Sequence, residues 1–548
     1  MAFRFISQRF PLSWIVYALA VSVLFMEVNH AAVSMPFGDS WSIFAVLKKY
    51  MEESISIFGV FTILHNEHPY GLPYIIAFFF CRMFSYDLKS LALLSAVIYC
   101  LNAMIFLIMA RKVVKNEFFL SAIVLISLSL RPFELLFESF EIGFTLTTFF
   151  AITAILAAFK SGRWGTPIAI LSLILGGACS AQFVAVLPAV LLAFYWSRER
   201  LWAGIGSVLS IATIGFWVSL ILPVASNTSR HHDVLAMIPM GLRLAGASIA
   251  PWGPWPLLLG IGIVGLFAVF SIRAVRSKSD DFRPMVCMGI FSLGVLALVA
   301  FGRAGMTVAT QPRYLYFSVP LVIFAMVGTY IYVKQIRWFI PIAAILVYFE
   351  AGTSTYAQHP YYTQRDALIK VIQLEVQTLS DKEIGYLNPG PPELIRSLIG
   401  IFRKNNWSVF HESVEQRPQL FPVNQFSLNG RLVPTATTIT VSGPGLAGVR
   451  LPCPQCAIRF RVSGINVPEP TGERIGSGGT RNAGIMFYDK NGVIIANRYQ
   501  SLEAGTAPID LLFVAPSGTT KAEPYVYAPS GKRVSFATAS IAISGQAY

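Results

Sequence analysis

The chain has 548 residues, of which 55% are hydrophobic and 13% are charged, and its mean hydropathy is +0.61. These values exclude an ordinary soluble globular protein and predict an integral membrane protein. The net charge of +14 does not predict a nucleic-acid partner, because the basic residues cluster in short gaps between apolar runs, the positive-inside pattern that faces anionic lipid.

The first apolar run extends from Trp14 to Val33 and follows Arg4 and Arg9, as the core of a signal peptide would. Its length, about 20 residues, is enough to cross a bilayer. No convincing small-residue cleavage site follows it. We therefore predict a retained first membrane helix with its N-terminus in the cytoplasm.

Further basic clusters interrupt the apolar runs, and placing all of them in the cytoplasm predicts eleven membrane spans. The spans are predicted near residues 13–33, 91–110, 118–131, 143–159, 165–179, 182–196, 201–223, 255–272, 284–302, 314–333 and 337–350. An odd number of spans places the C-terminus outside the cytoplasm. The sequence thus predicts a multi-pass protein of the bacterial inner (cytoplasmic) membrane with a periplasmic C-terminal region.

Two segments after the first span do not fit a simple membrane helix. Trp41–Phe58 mixes apolar and charged residues near helical spacing, which predicts an amphipathic helix lying along the membrane surface. Leu72–Phe84 is apolar but short, which predicts a re-entrant or interfacial helix.

The composition changes after Glu350, and three domains are predicted: 1–354 in the membrane, 355–427 as an α/β segment, and 428–548 as a β-sandwich. In the α/β segment we predict helices at 366–379 and 393–402 and strands at 384–387 and 407–410. In the last domain, short strands alternate with Gly, Pro and Ser turns, and residues 489–492 form a hairpin signal. The strands are predicted at 437–442, 458–462, 484–488, 493–496, 509–514, 525–527 and 534–543.

The six cysteines divide into two kinds. Four are single residues in or near apolar runs, where packing is the expected role: Cys81, Cys100, Cys179 and Cys287. Cys453 and Cys456 form a CxxC pair in the C-terminal region without a second ligand pair for zinc. We predict that they form a disulfide in an oxidising compartment.

Four polar loops fall on the same, outer side of the predicted topology. They are 34–71 with Asp39 and His65-Asn66-Glu67-His68, 131–142 with Glu134, Glu138 and Glu141, 224–254 with His231-His232-Asp233, and 302–314 with Arg303, Arg313 and Tyr314. The three glutamates are spaced i, i+4, i+7, so a helix would place them on one face. We expect the four loops to converge.

Carboxylates and histidines at a membrane boundary suit acid–base chemistry, because partial burial raises the pKa of a carboxylate towards the working pH. Arg303 and Arg313 could bind a phosphate bidentately. A base and a phosphate-binding group beside lipid predict an enzyme with a lipid-phosphate donor.

Each of these features also has a purely structural explanation. Asp39 could cap a helix that begins near Trp41, and Arg313-Tyr314 could anchor a span at the interface. The glutamates of 131–142 and the residues His231-His232-Asp233 could simply face solvent. His65-Asn66-Glu67-His68 lacks the i, i+4 histidine spacing of a helical zinc site, so no cofactor is predicted firmly and a divalent metal, Mg²⁺ or Mn²⁺, is left open.

Residues 1–350 resemble bacterial polytopic glycosyltransferases of the GT-C fold. His65-Asn66-Glu67-His68 is the best match, Asp39 in the first loop is the next, and Arg313-Tyr314 at the start of a late span is a third. The sequence departs from the family at Pro69, where a basic residue is expected, and at Ser40, where a second acid is expected. The resemblance implies a polyprenyl-phosphate-sugar donor such as an undecaprenyl-phosphate sugar, transfer outside the cytoplasm with inversion, and Asp39 as the base.

Together these arguments predict three groups of site residues. The catalytic group is Asp39, Glu67 and His68; the donor-phosphate group is Arg313, Arg303 and Tyr314; and the substrate group is His65, Asn66, Glu134, Glu138 and Glu141. The acceptor is predicted to be a glycan or lipid-linked acceptor, or a cell-envelope polysaccharide such as O-antigen.

Two other functions remain open. A lipid-linked glycan polymerase or ligase would have a large outer loop between late spans, whereas here the large outer segment is C-terminal. A polyprenyl-glycan transporter or flippase would favour internal repeats and mid-membrane charges, neither of which is clear in this sequence.

Overall fold

In the computed structural model the chain forms two compact units, Met1–Ser34 with Asp39–Pro360, and Met35–Gly38 with Tyr361–Tyr548. The residues described are 11–66, 68–226, 234–277, 280–303, 311–333, 335–359, 362, 391–407, 419–422, 427–428, 431–432, 439–442, 445–453, 457–463, 465, 481–502, 509–515, 518–528, 533–536 and 538–544. The further predicted division at residue 427 stays a prediction.

The first unit is built from helices. They are α1 (Leu12–Ala31), α2 (Trp41–Met51), α3 (Ile57–Phe61), α4 (Gly71–Arg82), α5 (Leu88–Val113), α6 (Glu117–Ser127), α7 (Glu134–Phe137), α8 (Ile142–Phe159), α9 (Gly165–Gly177), α10 (Val186–Trp196), α11 (Arg200–Ser226), α12 (Val234–Ala247), α13 (Trp255–Ser277), α14 (Arg283–Arg303), α15 (Pro312–Leu315), α16 (Val319–Tyr332) and α17 (Phe339–Tyr356). Each of the eleven predicted membrane spans overlaps a helix of the structure.

Eight helical segments of the described residues are long and apolar enough to cross a membrane, which makes this a multi-pass membrane protein by length and composition. The segments at 117–127, 165–177 and 181–196 are shorter, so the span count of eleven stays a prediction. Helix α12 corrects the prediction that 224–254 is a polar loop. The polar part is confined to residues 227–233, which lie outside the described residues, and the apolar sequence after them is helical.

The prediction of one surface helix over Trp41–Phe58 is wrong. The segment is two helices, α2 and α3, separated by a turn in which Glu53 has a φ of 56°. Trp41, Phe44 and Leu47 of α2 are no more than 5% exposed, because the apolar face packs on the protein, including α4, rather than lying open towards lipid. The short helix predicted at 72–84 is present as α4.

The second unit contains one described helix, α18 (Pro392–Asn405), where a helix was predicted. It buries Ile395, Leu398 and Phe402, and the residue after its end, Asn406, has a φ of 57° in the left-handed region that asparagine tolerates. The helix predicted at 366–379 and the strand predicted at 384–387 lie outside the described residues. The strand predicted at 407–410 is not supported at Trp407, and its other residues lie outside the described part.

The rest of the second unit is antiparallel β-structure. Its strands are β3 (Gln419–Pro422), β4 (Ser427–Leu428), β5 (Arg431–Leu432), β6 (Ile439–Ser442), β7 (Gly445–Gly448), β8 (Leu451–Pro452), β9 (Ala457–Ser463), β10 (Arg481–Tyr488), β11 (Ile494–Leu502), β12 (Ile509–Val514), β13 (Lys521–Ala528), β14 (Arg533–Phe536) and β15 (Thr538–Ser544). The sheet orders are β11-β10-β13-β7-β4-β5, with β8 also on β13, then β12-β9-β15-β3, and β14-β6.

Each predicted strand overlaps an observed one, because alternating apolar residues on each strand supply one core. The single strand predicted at 534–543 is wrong: β14 and β15 cover it and pair in different sheets. Phe460 of β9, Phe487 of β10 and Phe536 of β14 are fully buried in the same hydrophobic cluster. The predicted hairpin at 489–492 joins β10 to β11, and Gly492 adopts a φ of +80° in its turn. The β-sandwich architecture itself stays a prediction.

The cysteines follow the predicted division. The four thiols in the first unit are free and buried, as expected for packing. Cys453 forms a disulfide, whereas Cys456 lies outside the described residues, so the predicted pairing of the two stays a prediction.

Candidate active site

The His65-Asn66-Glu67-His68 segment forms a small hairpin between α3 and α4. Strands β1 (Leu64–His65) and β2 (His68–Pro69) pair antiparallel, with His65 opposite His68. Asn66 has a φ of 52° at the turn, a conformation that asparagine accepts at low cost. Glu67 lies outside the described residues. The sequence predicted only a polar loop here, because two-residue strands carry no readable alternation.

Asp39 lies against this hairpin. Its Oδ1 atom is 3.7 Å from Nε2 of His65, and the Asp39 side chain is 63% exposed, whereas His65 is 17% exposed. Asp39 is not the N-cap of α2: Ser40 holds that position and makes no side-chain cap hydrogen bond. The exposed carboxylate is therefore available to a substrate, and its partner imidazole is held inside the protein.

A ring of contacts orients the imidazole. Nδ1 of His65 is 3.3 Å from the hydroxyl of Tyr74, which donates to Oγ of Ser42 at 2.9 Å. Ser42 in turn donates to the main-chain oxygen of Asp39 at 2.6 Å. Because Tyr74 donates to Ser42, its phenolic oxygen is left to accept from Nδ1, and these contacts fix the orientation of the imidazole ring.

At Asp39 this arrangement outweighs the expected effect of burial, which by itself raises the pKa of a carboxylate. Interaction with His65 lowers the pKa of Asp39 below its ordinary value of 3.8; partial burial opposes this effect, and the positive charges of Arg313 and Arg303 add to it. Asp39 is thus a carboxylate that stays ionised, placed beside a donor that stabilises its charge.

We expect replacement of His65 by Phe to move the acidic limb of the pH–activity profile to higher pH. If Asp39 must be ionised to act, activity is lost as the pH falls through its pKa, and removing the imidazole raises that pKa. The profile of kcat over the acidic range measures the shift, with Glu53→Gln as a control at an exposed acid. An unmoved acidic limb in His65→Phe would contradict this assignment.

Aromatic packing joins the hairpin to the loop at 131–142. The ring of Phe140 stacks on Tyr70 with centroids 4.4 Å apart and meets the ring of His65 at 5.0 Å. The main-chain N–H of Gly143 donates to the Tyr70 hydroxyl at 3.3 Å, and a Cβ at Gly143 would lie 2.5 Å from the Tyr70 ring. A glycine is therefore needed where α8 approaches the hairpin.

The three glutamates of this loop do not lie on one helix face, so that prediction is wrong. Helix α7 ends at Phe137, Glu138 is extended, and a 3₁₀ turn covers Ser139–Glu141. The extended backbone at Glu138 breaks the helical register.

Two of the glutamates nevertheless reach the same arginine. Nη1 of Arg313 is 2.8 Å from Glu141 and 3.9 Å from Glu134, and Nη2 donates to Gln311 at 2.5 Å. The Glu141 side chain is only 8% exposed, so the solvated-loop explanation does not hold for it. The Arg313 guanidinium also lies over the ring of Tyr314, 5.4 Å from the ring centroid.

The loops at 34–71, 131–142 and 302–314 therefore converge, as expected from topology. Arg303, the last residue of α14, contributes positive charge at Asp39, as Arg313 does. The fourth loop meets the second, because Nη2 of Arg131 donates to the main-chain oxygen of Ile249 at 3.2 Å and the guanidinium lies 5.7 Å from the ring centroid of Trp252. His231-His232-Asp233 lie outside the described residues. The catalytic and binding roles assigned to these residues stay predictions.

The sequence did not indicate several residues of this cluster. Ser42, Tyr70, Tyr74, Phe140 and Gln311 orient the histidine, the aromatic wall and the arginine. Tyr70 and Tyr74 are four residues apart at the start of α4, and that spacing is the one signal that could have indicated a shared face.

Within the described ranges, no three His, Cys, Asp or Glu side chains are grouped closely enough to hold a metal ion. Glu67 and His231-His232-Asp233 fall outside those ranges, so metal dependence stays a prediction.

Comparison with known proteins gives little further guidance. No family model matches the chain, and no curated protein matches it significantly. The cryo-electron microscopy structure of the arabinosyltransferase EmbB from Mycobacterium smegmatis aligns with 98% of this chain at 10% identity and a TM-score of 0.37. The aligned region covers 66% of EmbB, just under two thirds of its length. A likeness at this level carries no argument about function, which must come from the site.

Proposed function

We propose that this chain is a membrane glycosyltransferase that moves a sugar from a polyprenyl-phosphate-linked donor to an acceptor glycan outside the cytoplasm. The observation that supports it is the convergence of an exposed, ionised carboxylate with arginines at the ends of membrane-type helices. Asp39 is 3.7 Å from His65, and both Arg303 and Arg313 act on its charge. A base beside cations at a helix boundary fits a reaction between a hydroxyl and a lipid phosphate ester.

In the proposed step Asp39 removes the proton from an acceptor hydroxyl. The hydroxyl oxygen forms a bond to the anomeric carbon, and the bond from that carbon to the phosphate oxygen breaks, with inversion. Polyprenyl phosphate leaves with the electron pair as a stable anion, so no strong acid is required. His65 orients and stabilises the carboxylate through the ring of contacts with Tyr74 and Ser42.

The cationic groups of the site are already engaged with carboxylates, since Arg313 contacts both Glu141 and Glu134. A donor phosphate brings more negative charge, and the Glu141 contact already occupies one edge of Arg313. A divalent Mg²⁺ or Mn²⁺ ion bound with the donor would supply the missing positive charge. Glu67, His68 and Asn66 are the proposed neighbours of the acceptor and the ion.

The direct test is incubation of the purified protein with a panel of labelled polyprenyl-phosphate sugars and a glycan acceptor, with and without chelator. We expect release of polyprenyl phosphate together with labelled glycan, loss of both on chelation, and recovery with Mg²⁺ or Mn²⁺. Release of a polyprenyl pyrophosphate would favour the polymerase or ligase. Movement of donor across vesicles without any release would overturn the enzyme assignment in favour of a flippase.

A further inference from the structure

A polar cavity of about 660 Å³ lies at the end of α8 opposite to Glu141. Four helix ends form it: α8 ends at Phe159, α10 ends at Trp196, α11 begins at Arg200, and α14 begins at Arg283. Helix α8 has 18 residues, about 27 Å of helix, so this cavity is separate from the candidate active site. It lies on the face that the topology predicts to be cytoplasmic.

The cavity is positively charged. Its lining includes four cationic side chains and two acidic ones, namely Lys160, Arg198, Arg200, Arg283, Glu199 and Asp280. Asp280 is shared by two arginines, 2.6 Å from Arg283 and 3.1 Å from Arg198. The N-termini of α11 and α14 add partial positive charge from their free N–H groups. An anion is the ligand that this combination favours.

Arg283 is held rigidly in the wall. Its side chain is 17% exposed, and its guanidinium lies 5.4 Å from the ring centroid of Trp196, which itself stacks on Phe159. Within the described residues, the buried Nε atom of Arg283 has no hydrogen-bond partner. The guanidinium is therefore fixed in position at the cavity wall, and an anion could bind beside it with little loss of side-chain entropy.

The surroundings of the cavity place it at the level of lipid headgroups. Trp164 is 69% exposed, Tyr195 is 70% exposed, and Leu201 at the start of α11 is 73% exposed. Exposed Trp and Tyr beside basic residues mark a membrane interface. The next turns of α11 present Val208 and Ile211, also exposed, along the direction that an acyl chain would take.

We propose that this cavity binds the phosphate of an anionic phospholipid headgroup, with an acyl chain along the exposed apolar side of α11. The positive lining and the fixed guanidinium of Arg283 account for the phosphate, and the exposed aliphatic residues account for the lipid. Free phosphate would bind the positive lining but would make no contact with the exposed aliphatic residues of α11. The lipid would bridge α8, α10, α11 and α14 at their membrane ends.

The test is titration of delipidated protein in detergent micelles with phosphatidylglycerol, phosphatidylcholine or inorganic phosphate. We expect phosphatidylglycerol to bind and the other two to bind far more weakly. Arg283→Gln should raise the dissociation constant by about tenfold, the loss expected for one charge-assisted hydrogen bond. Arg198→Glu, at a side chain that is 91% exposed, leaves the fold intact and should raise it about threefold or more.

Arg337→Glu is the matched control, because Arg337 also lies over a tryptophan, Trp338, on the same predicted face but does not line the cavity. It should leave the dissociation constant unchanged, and the thermal midpoint of each variant checks folding. Equal weakening by Arg337→Glu and Arg198→Glu would show that total charge governs binding and would overturn the proposal. Full competition by inorganic phosphate would overturn the lipid assignment.

Discussion

Replacement of Asp39 by Asn is expected to lower kcat for sugar transfer by about 100-fold to 10,000-fold, the range that a general base contributes. The substitution keeps the size of the side chain and its contact with His65 but removes the acceptor for the hydroxyl proton. Because the Asp39 side chain is 63% exposed, the protein should fold normally and the KM for the donor should change little. Release of labelled polyprenyl phosphate under saturating donor measures the effect.

The control for this variant is Glu53→Gln, which removes another exposed carboxylate, in the turn between α2 and α3. We expect it to retain full activity. Asp39→Asn with wild-type kcat would remove Asp39 from the chemistry and leave Glu67 or His68 as the base. A loss confined to the KM would instead make Asp39 a substrate ligand.

The membrane part of the fold was predictable because its signals are local. Long apolar runs ended by basic residues give helices at all predicted positions, as α5 and α14 illustrate. The same local logic failed at 131–142, where i, i+4, i+7 spacing suggested one helix. Spacing alone does not report that the backbone at Glu138 becomes extended, an outcome that depends on packing against the hairpin and Arg313.

The candidate site was predictable as a set of loops but not as a set of contacts. The alternation of predicted spans across the membrane predicts that Asp39, the hairpin and Arg313 lie on the same side. In the structure the charge of Arg313 and the His65 imidazole both act on Asp39. The pKa of Asp39 moves opposite to the expectation, because that expectation considered burial without the neighbouring imidazole. Tyr74 and Ser42 lie 32 residues apart in the chain, so no short-range pattern connects them.

Arg313 and Glu141 provide the second large expected effect. Arg313→Met alone should destabilise the protein by about 3 kcal/mol, because the Glu141 carboxyl, only 8% exposed, would lose its hydrogen-bond donor. Glu141→Leu alone should also lower the free energy of unfolding, because the Arg313 guanidinium would lose its closest carboxylate partner. The loss should be smaller, since Arg313 keeps its longer 3.9 Å contact with Glu134. The double substitution should recover most of the stability, since a buried ion pair and an apolar pair of similar volume are often equivalent.

We expect the double variant to regain stability without regaining activity. Comparing the two quantities separates a structural role of Arg313 from a role in binding the donor phosphate. If the arginine only ties the 131–142 loop to α15, the double variant regains transfer along with its thermal midpoint. If it also binds the donor phosphate, the double variant melts like the wild type but keeps a raised KM for donor and little turnover. Thermal midpoints in detergent and initial rates over a range of donor concentrations, measured on all four proteins, distinguish the two. We expect the second result, because the Arg313 guanidinium contacts Glu141 directly and its charge also acts on Asp39, so its loss leaves Arg303 alone of the two proposed phosphate-binding cations.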